Sequence, residues 1–274
     1  MTRSDYLAFG GSGAAARLDP AGTLEFLTGA GFGNGPLEQA RAGIATATRR
    51  TFEFEAAGSR YCDFCFAKLM GGEYDRLDDG RERCVRCSRT VVRTRDEFAE
   101  IFMKTRRTLE IAFEITIDVA MRIQMVNARE IARRTGETFV PTPGVDARVL
   151  GFATRSDEGY ALNIENGSPA LAAIATIAHE LTHIWQFANW APGMVETRYG
   201  AERRLLIAEG MATWAQIQYL LSIKEYEYAE RQEAYAEQRD DAYGEGFRLF
   251  RERYPLDRAG MIGRSTPFGG EYPI

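Results

Sequence analysis

Between positions 168 and 189 the apolar residues Leu171, Ile174, Ala175, Ala178 and Leu181 recur at intervals of three and four, the period of one helix face. Ser168-Pro169 precedes them as an N-cap followed by proline at the first helical position, so the pattern predicts a mostly apolar, buried helix over 169–189. Earlier in the chain, Thr94 and Glu97 read as a capping box opening a helix through about Leu109, with Phe98, Ile101, Phe102 and Leu109 on one side. From Phe113, apolar Ile115, Ile117 and Val119 alternate with Glu114, Thr116 and Asp118, which argues for a strand; a continuous helix is the alternative. A further helix is expected over about 120–135, ending at Gly136, followed by a loop at 141–144. Segments 148–155 and 159–164 look like a hairpin around Ser156-Asp157-Glu158. After a loop holding Pro192 and Gly193, a helix is expected from 198 to 223. A charged helix then continues to about 253, with Tyr226, Tyr228, Tyr235 and Tyr243 as half-buried packing and surface residues. At the other end, 51–57 alternates as a strand, and the Gly- and Ala-rich segment 1–50 reads as loosely structured or a short hairpin. The succession predicts an α+β fold, mainly helical with a small sheet.

Composition narrows the class. A chain of 274 residues, 45% hydrophobic, can bury a real core as one large domain or two unequal ones. It has no apolar run long enough to span a bilayer, and its start, Met1-Thr2-Arg3-Ser4-Asp5, lacks a secretory apolar segment. A cytoplasmic location without a membrane partner is therefore expected. Net charge is −5 with acids and bases interspersed, so there is no basic stripe for a phosphate backbone and nucleic acid is not an expected partner.

The four cysteines form two pairs, Cys62-x-x-Cys65 and Cys84-x-x-Cys87, at the spacing of a zinc-knuckle pair. A CxxC loop is too short for an unstrained disulfide, and the expected compartment is reducing. Four thiolates fill a tetrahedral shell and leave no position for water, so this zinc would be structural. The module, placed at 51–92, has too little apolar material to fold without its metal.

Both histidines of the chain lie in His179-Glu180-Leu181-Thr182-His183, on the apolar helix. A spacing of four projects both imidazoles from one face, where they can hold one ion, while Glu180 can reach a water beside that ion without being a ligand. Unpaired histidine and glutamate would be costly in a buried helix, which favours a metal. A catalytic zinc needs three protein ligands, and no histidine remains. The third is then a carboxylate, with Glu196, Glu202 and Glu209 on or before the next helix as candidates, and a tyrosine is the alternative. Glu209 stands out because Leu205, Leu206, Ala212 and Thr213 leave its face otherwise apolar or small, and Gly210 beside it lets another backbone approach closely. The absence of a third histidine also excludes metzincins and the SprT-like repair proteases.

These features together, with the hairpin end Ala161-Leu162-Asn163-Ile164-Glu165-Asn166-Gly167-Ser168-Pro169, the segment 177–185 and Ala208-Glu209-Gly210, resemble the LIM-associated gluzincin peptidases of the plant growth regulator DA-one type and their bacterial relatives. The resemblance covers about residues 58–225. It implies a zincin-like metallopeptidase domain, 93–274, preceded by a LIM-like zinc module. His179, His183 and Glu209 match that family's metal ligands, and Glu180 its catalytic base. There is no ubiquitin-interacting helix upstream and only one cysteine module, so ubiquitin control is not carried over. The expected reaction is hydrolysis of a protein or peptide substrate, with one catalytic and one structural Zn2+ and a protein partner for the zinc module. In gluzincins the strand before the metal helix pairs with extended substrate, so Tyr160, Ala161 and Leu162 on the 159–164 strand are expected at the cleft edge. Tyr199 or Tyr160 is expected to stabilise the oxyanion. The rival readings are a non-catalytic adaptor on a peptidase scaffold and a zinc-ribbon nucleic-acid binder, the latter disfavoured by the acidic balance.

Overall fold

The computed structural model describes residues 6–8, 15–18, 24–27, 60–69, 74–135, 139, 150–156, 159–191, 193–259 and 266–269. The strand expected at 51–57 and the loop at 141–144 lie outside them. Within 1–50, three short strands, β1 (Tyr6–Ala8), β2 (Ala15–Leu18) and β3 (Leu24–Leu27), form an antiparallel sheet. The fold is α+β and mainly helical, as the patterning predicts. Among the described residues no helix is long and apolar enough to cross a membrane.

The cysteine module consists of the hairpin β4 (Tyr74–Arg76) and β5 (Glu82–Cys84) and the short helix α1 (Val85–Arg89). Helix α2 (Arg95–Phe113) starts at the expected box: Thr94 accepts from the Glu97 N–H and the Glu97 carboxylate from the Thr94 N–H. It runs a full turn past Leu109 and stops at Glu114, held in the left-handed region at φ 53. The alternation expected as a strand at 113–119 is therefore divided between the helix end and an irregular stretch. The strand comes later, as β6 (Met121–Val126), where a helix was expected. Met121, Ile123 and Met125 are buried while Arg122 and Gln124 are half-buried, a period-2 pattern that suits a strand. Asn127 then accepts from the Glu130 N–H and opens a separate helix, α3 (Ala128–Thr135).

The hairpin β7 (Gly151–Ser156) and β8 (Gly159–Glu165) forms as expected and joins β6 in the order β6-β8-β7. β8 is parallel to β6, with Ile123 opposite Leu162, and antiparallel to β7, with Ala153 opposite Leu162. The strand that the sequence reading placed at the cleft edge is thus the central one. Tyr160, Ala161 and Leu162 have their backbones paired on both sides and offer no edge to a substrate.

Helix α4 (Ala170–Asn189) lies on β7 and β8, followed by α5 (Met194–Tyr199), α6 (Ala201–Ser222), α7 (Tyr226–Glu237) and α8 (Ala242–Arg253). The helix expected over 198–223 is interrupted at Gly200, whose φ of 93 admits glycine most readily. The charged helix is likewise split, because Asp241 caps α8 by accepting from the Gly244 N–H. The first N–H of α4 is also satisfied differently from the expectation. Pro169 is its N-cap without a side-chain bond, and the Ala170 N–H donates to the Thr90 carbonyl while Ser168 O accepts from the Val92 N–H. The cysteine module thereby closes the start of α4 in place of a Ser168 cap.

Every residue of α4 from Ile177 to Gln186 is buried. Removing Ile177, Leu181 and Ile184 from water contributes about 1.5–3 kcal/mol each, which offsets the cost of carrying histidine and glutamate through the core. Helix α6 runs between α4 and α8. A Cβ at Gly210 would lie 2.4 Å from the Gly246 Cα, so α6 and α8 cross backbone to backbone beside Glu209, the close approach that Gly210 was read as permitting. Gly210→Ala is expected to force the helices apart and destabilise the protein by about 1–3 kcal/mol. A thermal midpoint unchanged from the parent would refute this crossing.

Candidate metal centres

The first centre is built by turns. The Cys62 N–H donates to Ala67 O and the Phe66 N–H to Cys62 O, folding the first CxxC loop with Phe66 at φ 59. The Cys84 N–H donates to Cys62 Sγ (3.4 Å) and the Cys87 N–H to Cys84 Sγ (3.5 Å), which brings the second pair onto the first. All four cysteines are free thiols, and their sulfurs lie within 4.8 Å of one another. Cys65 and Cys84 Sγ are 3.7 Å apart. A disulfide requires about 2.0 Å, whereas sulfurs at about 2.3 Å from a tetrahedral ion stand about 3.8 Å apart. The spacing fits an ion and not a bond. Bonding among the sulfurs, Cys62 foremost, lowers the Cys65 and Cys84 thiols, while Cys62 and Cys87 are pushed up by their sulfur neighbours and by burial. Four thiolates can coexist there only around a cation.

The second centre is assembled from two helices. His179 and His183, one turn apart on α4, meet Glu209 of α6. The His179 Nε2 to Glu209 Oε2 distance is 3.2 Å, His183 Nε2 to Glu209 Oε2 is 3.1 Å, and the two Nε2 atoms are 3.2 Å apart. Ligand atoms at about 2.0–2.1 Å from a tetrahedral ion are separated by about 3.3 Å, so the triangle has the dimensions of three corners of such a shell. Glu209 is fully buried and His183 is 1% exposed. A buried carboxylate facing two imidazole nitrogens is costly without a positive charge among them. A shared proton would be one source. A metal ion is the other, and Gln186 sets the ring tautomer that such an ion requires.

Gln186 Nε2 donates to the Ala208 carbonyl (3.0 Å), which leaves its Oε1 to accept from His183 Nδ1 (2.8 Å). With its proton held on Nδ1, neutral His183 presents the Nε2 lone pair to Glu209 and His179, the tautomer that a metal ligand needs. Gln186→Met keeps the volume and removes both bonds, and should weaken metal binding by about 10–100-fold. Competition against a chromophoric chelator measures this, and parental affinity in the variant would remove Gln186 from the site.

The structure brings His179, His183 and Glu209 together as one group able to hold a metal ion, and Cys62, Cys65, Cys84 and Cys87 as another. Glu180 is buried beside His179, at 3% exposure. The two rival glutamates sit elsewhere: Glu196 pairs with Arg204 at 2.8 Å, and Glu202 is exposed on the first turn of α6. Tyr199 ends α5 with its ring against Arg198, and Tyr160 stands on β8 opposite Met121 and Arg155. The aromatic ring stacked on His179 is Tyr243 of α8, at 6.1 Å between centroids and 18° between planes. Tyr243 belongs to a helix far downstream of His179 in the chain, and its ring packs against both the His179 imidazole and the Arg239 guanidinium. Gln186, three residues after His183 and so on the same helix face, could have been found by asking what holds the ligand's second nitrogen. Compared with family models, curated proteins and solved structures, the chain matches none of them.

Proposed function

We propose that this chain is a zinc-dependent metallopeptidase of the gluzincin type, with a zincin-like domain at 93–274 and a structural zinc module within 51–92. The observation that carries the reading is the convergence of His179, His183 and Glu209 donor atoms, 3.1–3.2 Å apart. The resemblance to LIM-associated gluzincins supports the same ligand set. A zinc ion held there supplies positive charge that acidifies a water and polarises a substrate carbonyl. Glu180 takes a proton from the attacking water and returns it to the leaving amine. Extended substrate lies along β7, which packs on α4 and whose outer edge is paired with no strand among the described residues.

Two ions per chain are expected, and mild chelation should remove the one held by His179, His183 and Glu209 first, since four thiolates enclose the other. Native mass spectrometry that finds a single ion, or none held by the cysteines, defeats the two-centre reading. The activity is tested by incubating the zinc-loaded chain with a diverse peptide pool and reading cleavages by mass spectrometry. Two bound ions with no cleavage would leave the adaptor reading in its place.

A further inference from the structure

We infer that the cysteine module positions Tyr243 over His179 through a continuous run of side-chain contacts, so that the two candidate metal centres are coupled. The inference rests on both clusters holding metal and does not depend on the peptidase reading.

The run begins at Phe66, the residue after Cys65, whose left-handed backbone is imposed by the first CxxC turn. Its ring lies 4.8 Å from that of Tyr235 on α7. The Tyr235 hydroxyl accepts from Arg239 Nη1 at 3.2 Å. The Arg239 guanidinium then lies 5.2 Å from the Tyr235 ring centroid and 4.4 Å from that of Tyr243. Burial alone would weaken the charge of Arg239, but Tyr235 and Asp241 hold it firmly protonated. Asp241 binds the Arg239 Nε at 3.0 Å and also caps α8, fixing the helix that carries Tyr243. Tyr243 completes the path by stacking on the imidazole of His179.

A second set of contacts ties α7 to the same loop. The Tyr228 hydroxyl donates to Phe64 O at 2.9 Å, and Arg231 Nε donates to Cys65 O at 2.7 Å. Both acceptors are backbone carbonyls inside the first CxxC turn, whose shape depends on its ion. Loss of that ion releases the carbonyls and the Phe66 ring together, and α7 loses the contacts that fix Tyr235, whose hydroxyl and ring help to hold Arg239 against Tyr243. Tyr243 is a positioning residue here. It covers one face of the His179 ring and restrains the orientation in which Nε2 meets Glu209.

The test uses cobalt as the probe, since thiolate charge-transfer absorption reports the cysteine centre and weak visible bands report the histidine centre. Cobalt release from the histidine centre is measured for the parent, Phe66→Leu, Tyr243→Leu and the double variant. Each single change should speed release about two- to tenfold, the worth of one aromatic contact. The double variant should be no faster than the faster single one, because both changes break one path. Release rates that multiply in the double variant, or a parental rate in Phe66→Leu, overturn the inference. Should Phe66→Leu lose the thiolate signal, the cycle is run with Tyr235→Phe, which removes only the hydroxyl that accepts from Arg239, and the same outcomes decide. A parent that binds no cobalt at the histidines overturns the inference together with the metal reading, whereas bound cobalt with multiplicative rates overturns the inference alone.

Discussion

Glu180→Gln is expected to keep both metal ions and the parental melting temperature while lowering peptide hydrolysis by about 10²–10⁴-fold. The amide has the shape of the carboxylate but cannot accept a proton. The residue lies between two proposed ligands on a helix turn that is buried throughout, so the isosteric change leaves packing in place. Replacing a buried carboxylate by a neutral group also removes a desolvated charge, so no stability should be lost. Metal content by mass spectrometry, melting by calorimetry and cleavage of the peptide pool separate the roles. Parental turnover in this variant would eliminate the peptidase proposal. Loss of metal would instead make Glu180 a ligand.

The second large effect is at Glu209. Glu209→Gln should weaken the histidine centre by more than the about 10–100-fold that follows loss of an outer hydrogen-bond partner, because an amide is a poor ligand and α6 buries no other acidic group. The metal-free variant should melt no lower than the metal-free parent, since the change removes a fully buried charge facing two imidazoles. The difference appears on adding metal. A ligand present at 100 times its Kd stabilises the native state by about 2.7 kcal/mol, and this upward shift should vanish in Glu209→Gln while persisting in Glu196→Gln and Glu202→Gln. Those two carboxylates point elsewhere, one into a pair with Arg204 and the other into solvent. A full metal-induced shift in Glu209→Gln, with loss in either of the others, would move the third ligand and dissolve the gluzincin reading.

Much of the candidate chemistry was legible because it is local. Four-residue spacing alone puts His179 and His183 on one helix face, and CxxC spacing alone lets two sulfurs share an ion. The capping box at Thr94 and the hairpin over 151–165 are likewise decided by neighbours in the chain. Glu209 could be singled out by subtraction, as an acid on an otherwise apolar face, once the histidines were exhausted. Local rules failed where two segments compete for the same pattern. Apolar alternation at 113–119 looked like the strand, yet the sheet selected 121–126, because only there do the inward residues Met121, Ile123 and Met125 align with β8.

What the sequence determined by itself is the donor inventory: two imidazoles and one isolated carboxylate for one centre, four thiols for the other, each on an element whose local preference agrees with its place. Tertiary structure decided everything that depends on which element lies beside which. β8 became the central strand and so lost its free edge. Thr90 of the cysteine module, and not Ser168, receives the first N–H of the metal helix. The Gly210 to Gly246 crossing brings α8 close enough for Tyr243 to cover His179. Such contacts join residues far apart in the chain, and their energies depend on the packing of the whole core, which no spacing rule within one segment encodes.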